Sequence, residues 1–175
     1  MCIRDRYKVI DNYLPETVHK NMHDYCVYSE NDMWSFLPIQ TSANEIGKER
    51  PQFIIPIQND LVGLTDPHNV WKPLLDNLDA MAFLRIKLNC TLNTHTPEPS
   101  QYHTDFPGKI VMMTAIYYIN TNNGYTQFEH DGSKIDSVAN RIVMFPSSLK
   151  HRGVTTTDTP YRMVMNINYH PKPLS

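Results

Sequence analysis

The sequence predicts an α+β chain, mainly β, in which N-terminal helices support a jelly-roll-like sandwich or barrel. Three observations carry this expectation. Apolar residues recur at helical spacing in two places, both in the first half of the chain. From residue 83 the period changes to two. The second half then breaks into short strand-like runs punctuated by Gly, Asn and Asp. Helices first and many short strands afterwards are the pattern of an α+β layer architecture. With 175 residues, one domain over 1–175 is expected, long enough for a real core and too short for a second one.

Residues 1–6 (MCIRDR) show neither period and are set aside as an expected non-native or disordered tail. Residues 7–11 (YKVID) read as a short strand. A helix starts at Leu14-Pro15-Glu16-Thr17, because Pro15 suits a first turn, Glu16 suits its positive end, and Val18 and Met22 share a face. Residues 38–52 carry Pro38, Gly47 and Pro51 among polar side chains, so a surface loop and possible lid is expected. From Asp66-Pro67 the positions Val70, Trp71, Leu74, Leu75, Leu78 and Met81 predict a second helix, with Pro73 tolerable near its start. Residues 83–92 then alternate: Phe83, Arg85, Lys87 and Asn89 fall on one face, Leu84, Ile86, Leu88 and Cys90 on the other. A proline-bearing loop over 93–101 precedes strands expected near 102–106, 110–120, 125–130, 133–138, 141–146 and 161–169. Gly108, Asn122-Asn123-Gly124 and Asp131-Gly132 supply the turns.

Composition narrows the partners. Sixteen Lys and Arg against eighteen Asp and Glu, with no run of like charge, give no strong signal for nucleic acid or an anionic membrane. A small-molecule or peptide substrate fits better, and oligomeric state is left open. Cys2, Cys26 and Cys90 are odd in number and lack paired spacing, which argues against a disulfide framework and a thiolate zinc site. No apolar run has membrane-spanning length and the N-terminus lacks the apolar core of a leader, so a reducing, cytoplasmic compartment is expected.

The chemistry concentrates between Tyr102 and Arg162. His103 and Asp105 stand two apart, so in a strand both point to one face and reach one ion. His151 follows the apolar run Ile142-Val143-Met144-Phe145, where a buried strand emerges into a loop. Two histidines and one carboxylate are the ligand set of a facial triad, which suits non-haem Fe(II) and leaves positions open. A His-x-Asp pair alone is common on solvated surfaces; the distal histidine distinguishes this one. His19, His23, His68, His95, His130 and His170 read as surface residues, His19 and His23 being the better alternative pair at i, i+4. Arg162 heads the apolar run Met163-Val164-Met165. A guanidinium there is costly to bury without an anion, and its planar fork matches a carboxylate. A structural salt bridge to a protein acid is the other reading.

Taken together, His103-x-Asp105, His151 and Arg162, joined by MTAIYYIN (113–120), NGYTQFE (123–129) and RIVMFPSSLKH (141–151), resemble the Fe(II)/2-oxoglutarate-dependent dioxygenase superfamily, and within it the prolyl 4-hydroxylase-like branch. The resemblance implies a double-stranded β-helix (jelly-roll/cupin-like) core. It implies Fe(II) held by His103, Asp105 and His151, 2-oxoglutarate as co-substrate with Arg162 on its far carboxylate, and O2. The activity implied is hydroxylation of an unactivated C–H bond, of a peptidyl or free amino acid such as proline, with release of succinate and CO2. Tyr118 and Thr126 match family positions near that carboxylate and read equally as core residues with satisfied hydroxyls. The family's Gly-Gly-x-Thr is Asn123-Gly124-Tyr125-Thr126 here. Tyr102, Arg85, Lys87 and Asn89 are placed on the substrate side by strand parity. Another small molecule or nucleic acid as substrate, and a non-catalytic jelly-roll ligand-binding module, stay as alternatives.

Overall fold

The computed structural model of the chain describes residues 7–28, 34–38, 51–58, 63–64, 66, 69–107 and 111–173. The tail at 1–6, most of the proposed lid (39–50), His68 and Gly108 lie outside the described residues. The elements are β1 (Lys8–Ile10), α1 (Glu16–Tyr28), β2 (Ser35–Leu37), β3 (Gln52–Gln58), α2 (Lys72–Asp76), β4 (Ala80–Leu92), β5 (Met113–Tyr118), β6 (Tyr125–Phe128), β7 (Lys134–Asp136), β8 (Ile142–Pro146), β9 (His151–Val154) and β10 (Tyr161–Pro171). They form an antiparallel seven-stranded sheet in the order β1-β8-β5-β10-β4-β3-β2 and a three-stranded sheet in the order β7-β6-β9. Isolated bridges Pro99↔Val154 and His103↔His151 run the 99–103 segment along the free edge of β9. This is the jelly-roll, double-stranded β-helix arrangement that the sequence led us to expect.

The large sheet is apolar on both sides, for two different reasons. On its outer face Ile86, Leu88, Tyr117, Met163, Met165, Ile167 and Tyr169 pack against Leu14, Met22, Cys26, Trp71, Leu74 and Leu75, which α1, α2 and their flanks supply. On the inner face Ile116, Tyr118, Val143, Phe145 and Val164 meet Phe128 and Ile135 of the small sheet. Successive residues of a strand point to opposite faces. Central strands covered on both sides therefore read as unbroken apolar runs, as in Ile116-Tyr117-Tyr118-Ile119, all at most 5% exposed. Each such side chain, fully buried, contributes about 1.5–3 kcal/mol. Asn140, at φ 63°, ties helix to sheet: its side chain bonds Leu14 N and O at 2.9 and 2.7 Å and accepts from the Tyr117 hydroxyl at 2.9 Å.

Four expectations need correction. The second helix is only Lys72–Asp76, and β4 already begins at Ala80. Asp66 accepts from the backbone N–H groups of Trp71 and Lys72, starting the helix at the one place where Pro73 fits. Met81 is consequently a strand residue, 64% exposed. Phe83 does not share a face with Arg85: the β4–β10 register shifts between Asn168 and Tyr169, and Phe83 turns to the core, with its ring 6.4 Å from that of Tyr169. A strand near 102–106 reduces to the single bridge at His103. Finally, His151 begins a strand rather than following one into a loop. Strand β3 was not anticipated, because Pro56 interrupts its apolar run; the proline sits at an irregularity of the β3–β4 ladder, where a missing N–H is tolerated.

Candidate functional site

His103 and His151 stand directly opposite each other. Each backbone N–H donates to the other's carbonyl at 3.0 Å, so both side chains leave the same face and their rings sit 4.6 Å apart. Asp105, two residues on, rejoins that face while its N–H donates to Ser147 O at 3.1 Å. One donor atom from each of His103, Asp105 and His151 lies within 4.8 Å of the others. In both histidines Nδ1 meets a backbone carbonyl, Gln101 O at 3.1 Å and Leu149 O at 3.0 Å. A carbonyl only accepts, so each Nδ1 carries a hydrogen, which leaves Nε2 as the atom of the neutral ring that can meet an ion. His151 is 2% exposed, with its ring 4.7 Å from that of Phe145. Burial pulls its imidazole below the ordinary value of 6.5, against the opposing field of Asp105.

The Asp105 carboxylate is buried and ringed with donors. Arg85 Nη2 reaches Oδ1 at 3.0 Å. Thr114 Oγ1, Asn168 Nδ2 and Asn166 Nδ2 reach Oδ2 at 2.9, 3.0 and 3.3 Å. Burial pushes this acid up, but His151, Arg85, His103 and the Thr114 hydroxyl together outweigh it and hold the pKa at about 2. The site therefore presents a fixed negative charge between two imidazoles. That set fits a divalent ion of borderline character.

At the other end of the same pocket lies Arg162, 6% exposed. Parity explains its direction: on β10, Arg162, Val164, Asn166 and Asn168 alternate with the core residues Met163, Met165 and Ile167. Its Nε donates to Ser137 Oγ at 2.9 Å and its Nη2 to Thr126 Oγ1 at 3.1 Å, and its guanidinium carbon lies 5.6 Å from the centre of the Tyr118 ring. Among the described residues no carboxylate forms a salt bridge with it. Burial disfavours its charged form. A buried guanidinium satisfied by hydroxyls alone fits an anionic guest.

Gly124 makes room for this side chain. A Cβ there would meet Arg162 Cδ, Asn122 Oδ1 and Val154 O, each at 2.8 Å. The glycine is thus required by close approach, not by a positive φ.

The other residues singled out from sequence scatter more widely. Thr126 lines the pocket beside Arg162, whereas Tyr118 is wholly buried and meets it through a 2.8 Å hydrogen bond to Thr126 Oγ1. Lys87 and Asn89 line the pocket. Arg85 is bound to Asp105, and Tyr102 stacks under Arg152, whose guanidinium carbon lies 4.1 Å from its ring centre. His19 is half-buried, its Nδ1 2.7 Å from the Tyr117 hydroxyl, and so is no surface residue. Ser137, Thr114, Asn166 and Asn168 were missed. The two asparagines were within reach, since they share period-two parity with Arg162; Ser137 and Thr114 gave no signal.

No protein-family model matches the sequence, and no curated protein matches it. Solved structures do resemble the fold. A prolyl hydroxylase from Trichoplax adhaerens, in complex with a hypoxia inducible factor oxygen degradation domain peptide fragment, is 16% identical with a TM-score of 0.66, the match covering 95% of this chain and 84% of that one. The viral collagen prolyl hydroxylase of Paramecium Bursaria Chlorella virus-1, in its 2OG complex, is 13% identical at TM-score 0.64, covering 97% and 99%. A 2OG-Fe(II) oxygenase family oxidoreductase from Burkholderia pseudomallei is 10% identical at TM-score 0.68, covering 97% and 88%. The chain has the fold of prolyl hydroxylases and 2OG-Fe(II) oxygenases.

Proposed function

We propose that the protein is an Fe(II)- and 2-oxoglutarate-dependent dioxygenase, a single domain over 1–175, that hydroxylates an unactivated C–H bond of an amino acid, free or peptidyl, with proline the first substrate to try. The observation that carries this reading is the pairing, in one pocket, of the His103, Asp105 and His151 donor set with a buried Arg162 that has no acid partner among the described residues. His103, Asp105 and His151 would hold the metal, and Arg162, supported by Thr126 and Ser137, would hold the far carboxylate of the co-substrate. When bound, iron and 2-oxoglutarate supply the oxidising chemistry: O2 places one oxygen in the substrate C–H bond and the other in succinate, with loss of CO2. The chain's own work is orientation and exclusion of water. Thr114, Asn166, Asn168 and Arg85 fix the Asp105 carboxylate, the Gln101 and Leu149 carbonyls fix the imidazole tautomers, and Phe145 and Phe128 close the back of His151.

No described helix is long and apolar enough to cross a membrane. Cys26 and Cys90 are free and buried, with burial pushing their thiols up to about 12 and about 11, which supports a reducing, cytoplasmic setting.

The test is anaerobic titration of the Fe(II) protein with 2-oxoglutarate. A weak visible charge-transfer band is expected, and Arg162→Met should raise the concentration needed for it roughly thirtyfold, the worth of lost charge-assisted hydrogen bonds. No band in the wild type would leave a non-catalytic ligand-binding jelly roll as the better account.

A further inference from the structure

A second cation, Lys87, lines the pocket that holds the triad and Arg162. It stands on β4 directly opposite Asn166 of β10, whose side chain donates to Asp105 Oδ2 at 3.3 Å. Two residues back along the same face of β4, Arg85 holds Asp105 Oδ1 at 3.0 Å. Lys87 therefore sits at the metal end, between two residues that grip the Asp105 carboxylate.

Its own ammonium grips nothing. Lys87 is half-buried and makes no hydrogen bond or salt bridge among the described residues. Burial disfavours its charge, Arg85 repels it, and only the field of Asp105 works the other way. Asp105 has no oxygen to spare, since Arg85 takes Oδ1 and Thr114, Asn166 and Asn168 take Oδ2. The remaining acid in the lining, Glu98, sits at the opposite end, with its N–H on Thr155 Oγ1 and its carbonyl on Thr155 N. Across the rung from Lys87, Asn166 Oδ1 is a buried acceptor with no donor. Its amide cannot turn, because the flip would set oxygen against the Asp105 carboxylate. These two groups form no site of their own. They are part of the wall around whatever the triad holds.

An unmatched cation in such a place calls for an anion from outside. A 2-oxoacid that meets an ion through its 1-carboxylate and 2-oxo oxygen gives up one carboxylate oxygen and keeps lone pairs on the other. We propose that Lys87 is the metal-end counterpart of Arg162: its ammonium binds the free oxygen of the co-substrate's 1-carboxylate and donates at the same time to Asn166 Oδ1. One dianion then meets a protein cation at each end. The spacing of the ends agrees. Thr126, which holds Arg162 Nη2 at 3.1 Å, pairs with Gly153. Gly153 is two residues from His151 on the same face, about 6.5–7 Å along the strand, within reach of a short diacid. The assignment rests on the dioxygenase reading above, and the experiment tells its failure from the failure of that reading.

Two acids separate the ends: 2-oxoglutarate carries both carboxylates, and 2-oxopentanoate has the same chain without the far one. The protein loaded with Ni(II), a redox-inert substitute, is titrated calorimetrically with each. Lys87→Met should weaken both acids about tenfold, the size of one charge-assisted hydrogen bond, and Lys87→Arg should recover most of the loss. Arg162→Met should weaken 2-oxoglutarate alone. Without either acid, Lys87→Met should bind nickel no more weakly and melt no lower than the wild type, since an unmatched charge has been removed. The Fe(II) protein under anaerobic conditions gives a readout that packing would not move. Its charge-transfer band reports electron density passing to the 2-oxoacid, which an adjacent ammonium favours. The band should therefore shift to shorter wavelength in Lys87→Met and keep its position in Arg162→Met. An unmoved band in Lys87→Met overturns the proposal, whatever the affinities. A loss confined to 2-oxoglutarate also overturns it and puts Lys87 at the far carboxylate. A lower melting temperature of metal-free Lys87→Met overturns it too, because Lys87 would then serve the fold. Each of these leaves the dioxygenase reading standing, whereas a wild type that binds no nickel or no 2-oxoglutarate sinks both.

Discussion

At one end of the pocket a buried carboxylate receives four protein donors; at the other a guanidinium, just as deeply buried, touches two hydroxyls and an aromatic face and meets no acid among the described residues. The difference has an energetic meaning. Asp105 is compensated before any ligand arrives, so the triad is held in place without its ion. Among the described residues Arg162 is compensated by dipoles alone, so a charged partner has to come from outside them. One end is preorganised by its own residues, and the other keeps a buried charge that suits an anionic guest.

The strongest way to break this comparison is to remove the acid. Asp105→Ala takes away the one charged ligand, so affinity for Ni(II) or Fe(II) should fall at least about a hundredfold. The same change strands Arg85, Asn166 and Asn168. Arg85 is 35% exposed, so water recovers part of its loss, and the metal-free protein should be less stable by about 1–3 kcal/mol. Calorimetric metal binding and denaturant melts of the metal-free protein measure the two effects. Unchanged metal-free stability would mean that the donors around Asp105 hold nothing in place.

How far this asymmetry was legible in the sequence depends on the range of the signal. His103-x-Asp105 is local: the period-two expectation puts both side chains on one face, and they do meet there although only a single bridge forms at His103. Arg162 announced itself as a charge in an apolar strand. The pairing of His151 with His103 is a matter of sheet register, which the sequence suggested through the run before His151 and did not locate, so a strand residue was expected in a loop. Arg85 was placed on the right face of β4, but its use as the Asp105 counter-ion depends on the segment at 103–105 folding back across the sheet. Phe83 failed because a register shift at Asn168/Tyr169 breaks the alternation that the pattern assumed. Ser137 and Gly124 serve Arg162 from hairpins far from it in sequence, and nothing local marks a cradle.

Gly124→Ala attacks the other end more gently. The new methyl would overlap Arg162 Cδ, Asn122 Oδ1 and Val154 O at 2.8 Å, and two of these are fixed by backbone or by the 2.9 Å bond from Gly124 N to Asn122 Oδ1. Arg162 is the member able to shift. We expect 2-oxoglutarate affinity to weaken about tenfold, with metal affinity in its absence unaltered and a stability loss of about 1–3 kcal/mol from overpacking. Equal loss at both ends would show that the ends are not independent.

The smallest effect is on pH. His151 is neutral in the fold because burial lowers its pKa below 6.5, so once the pH drops below 6.5 the unfolded chain binds a proton that the folded chain does not. Stability of the metal-free protein should therefore decline as pH falls from 6.5 toward the lowered value, by at most about 1.4 kcal/mol per pH unit for this group. Asp105 adds nothing over that window: its pKa moves from 3.8 to about 2, so its contribution is complete above 3.8 and is lost only between there and 2. His19, lowered by burial and by His23, adds a slope of the same sign, so His151→Gln should reduce the dependence without abolishing it. Arg162→Met should leave the slope as it is, since a guanidinium stays charged throughout the range. Urea melts of the three proteins between pH 4 and 7 decide the point. An unaltered slope in His151→Gln would mean that the imidazole takes up its second proton in the fold as readily as in the unfolded chain, and a doubly protonated ring cannot offer its Nε2 lone pair to an ion.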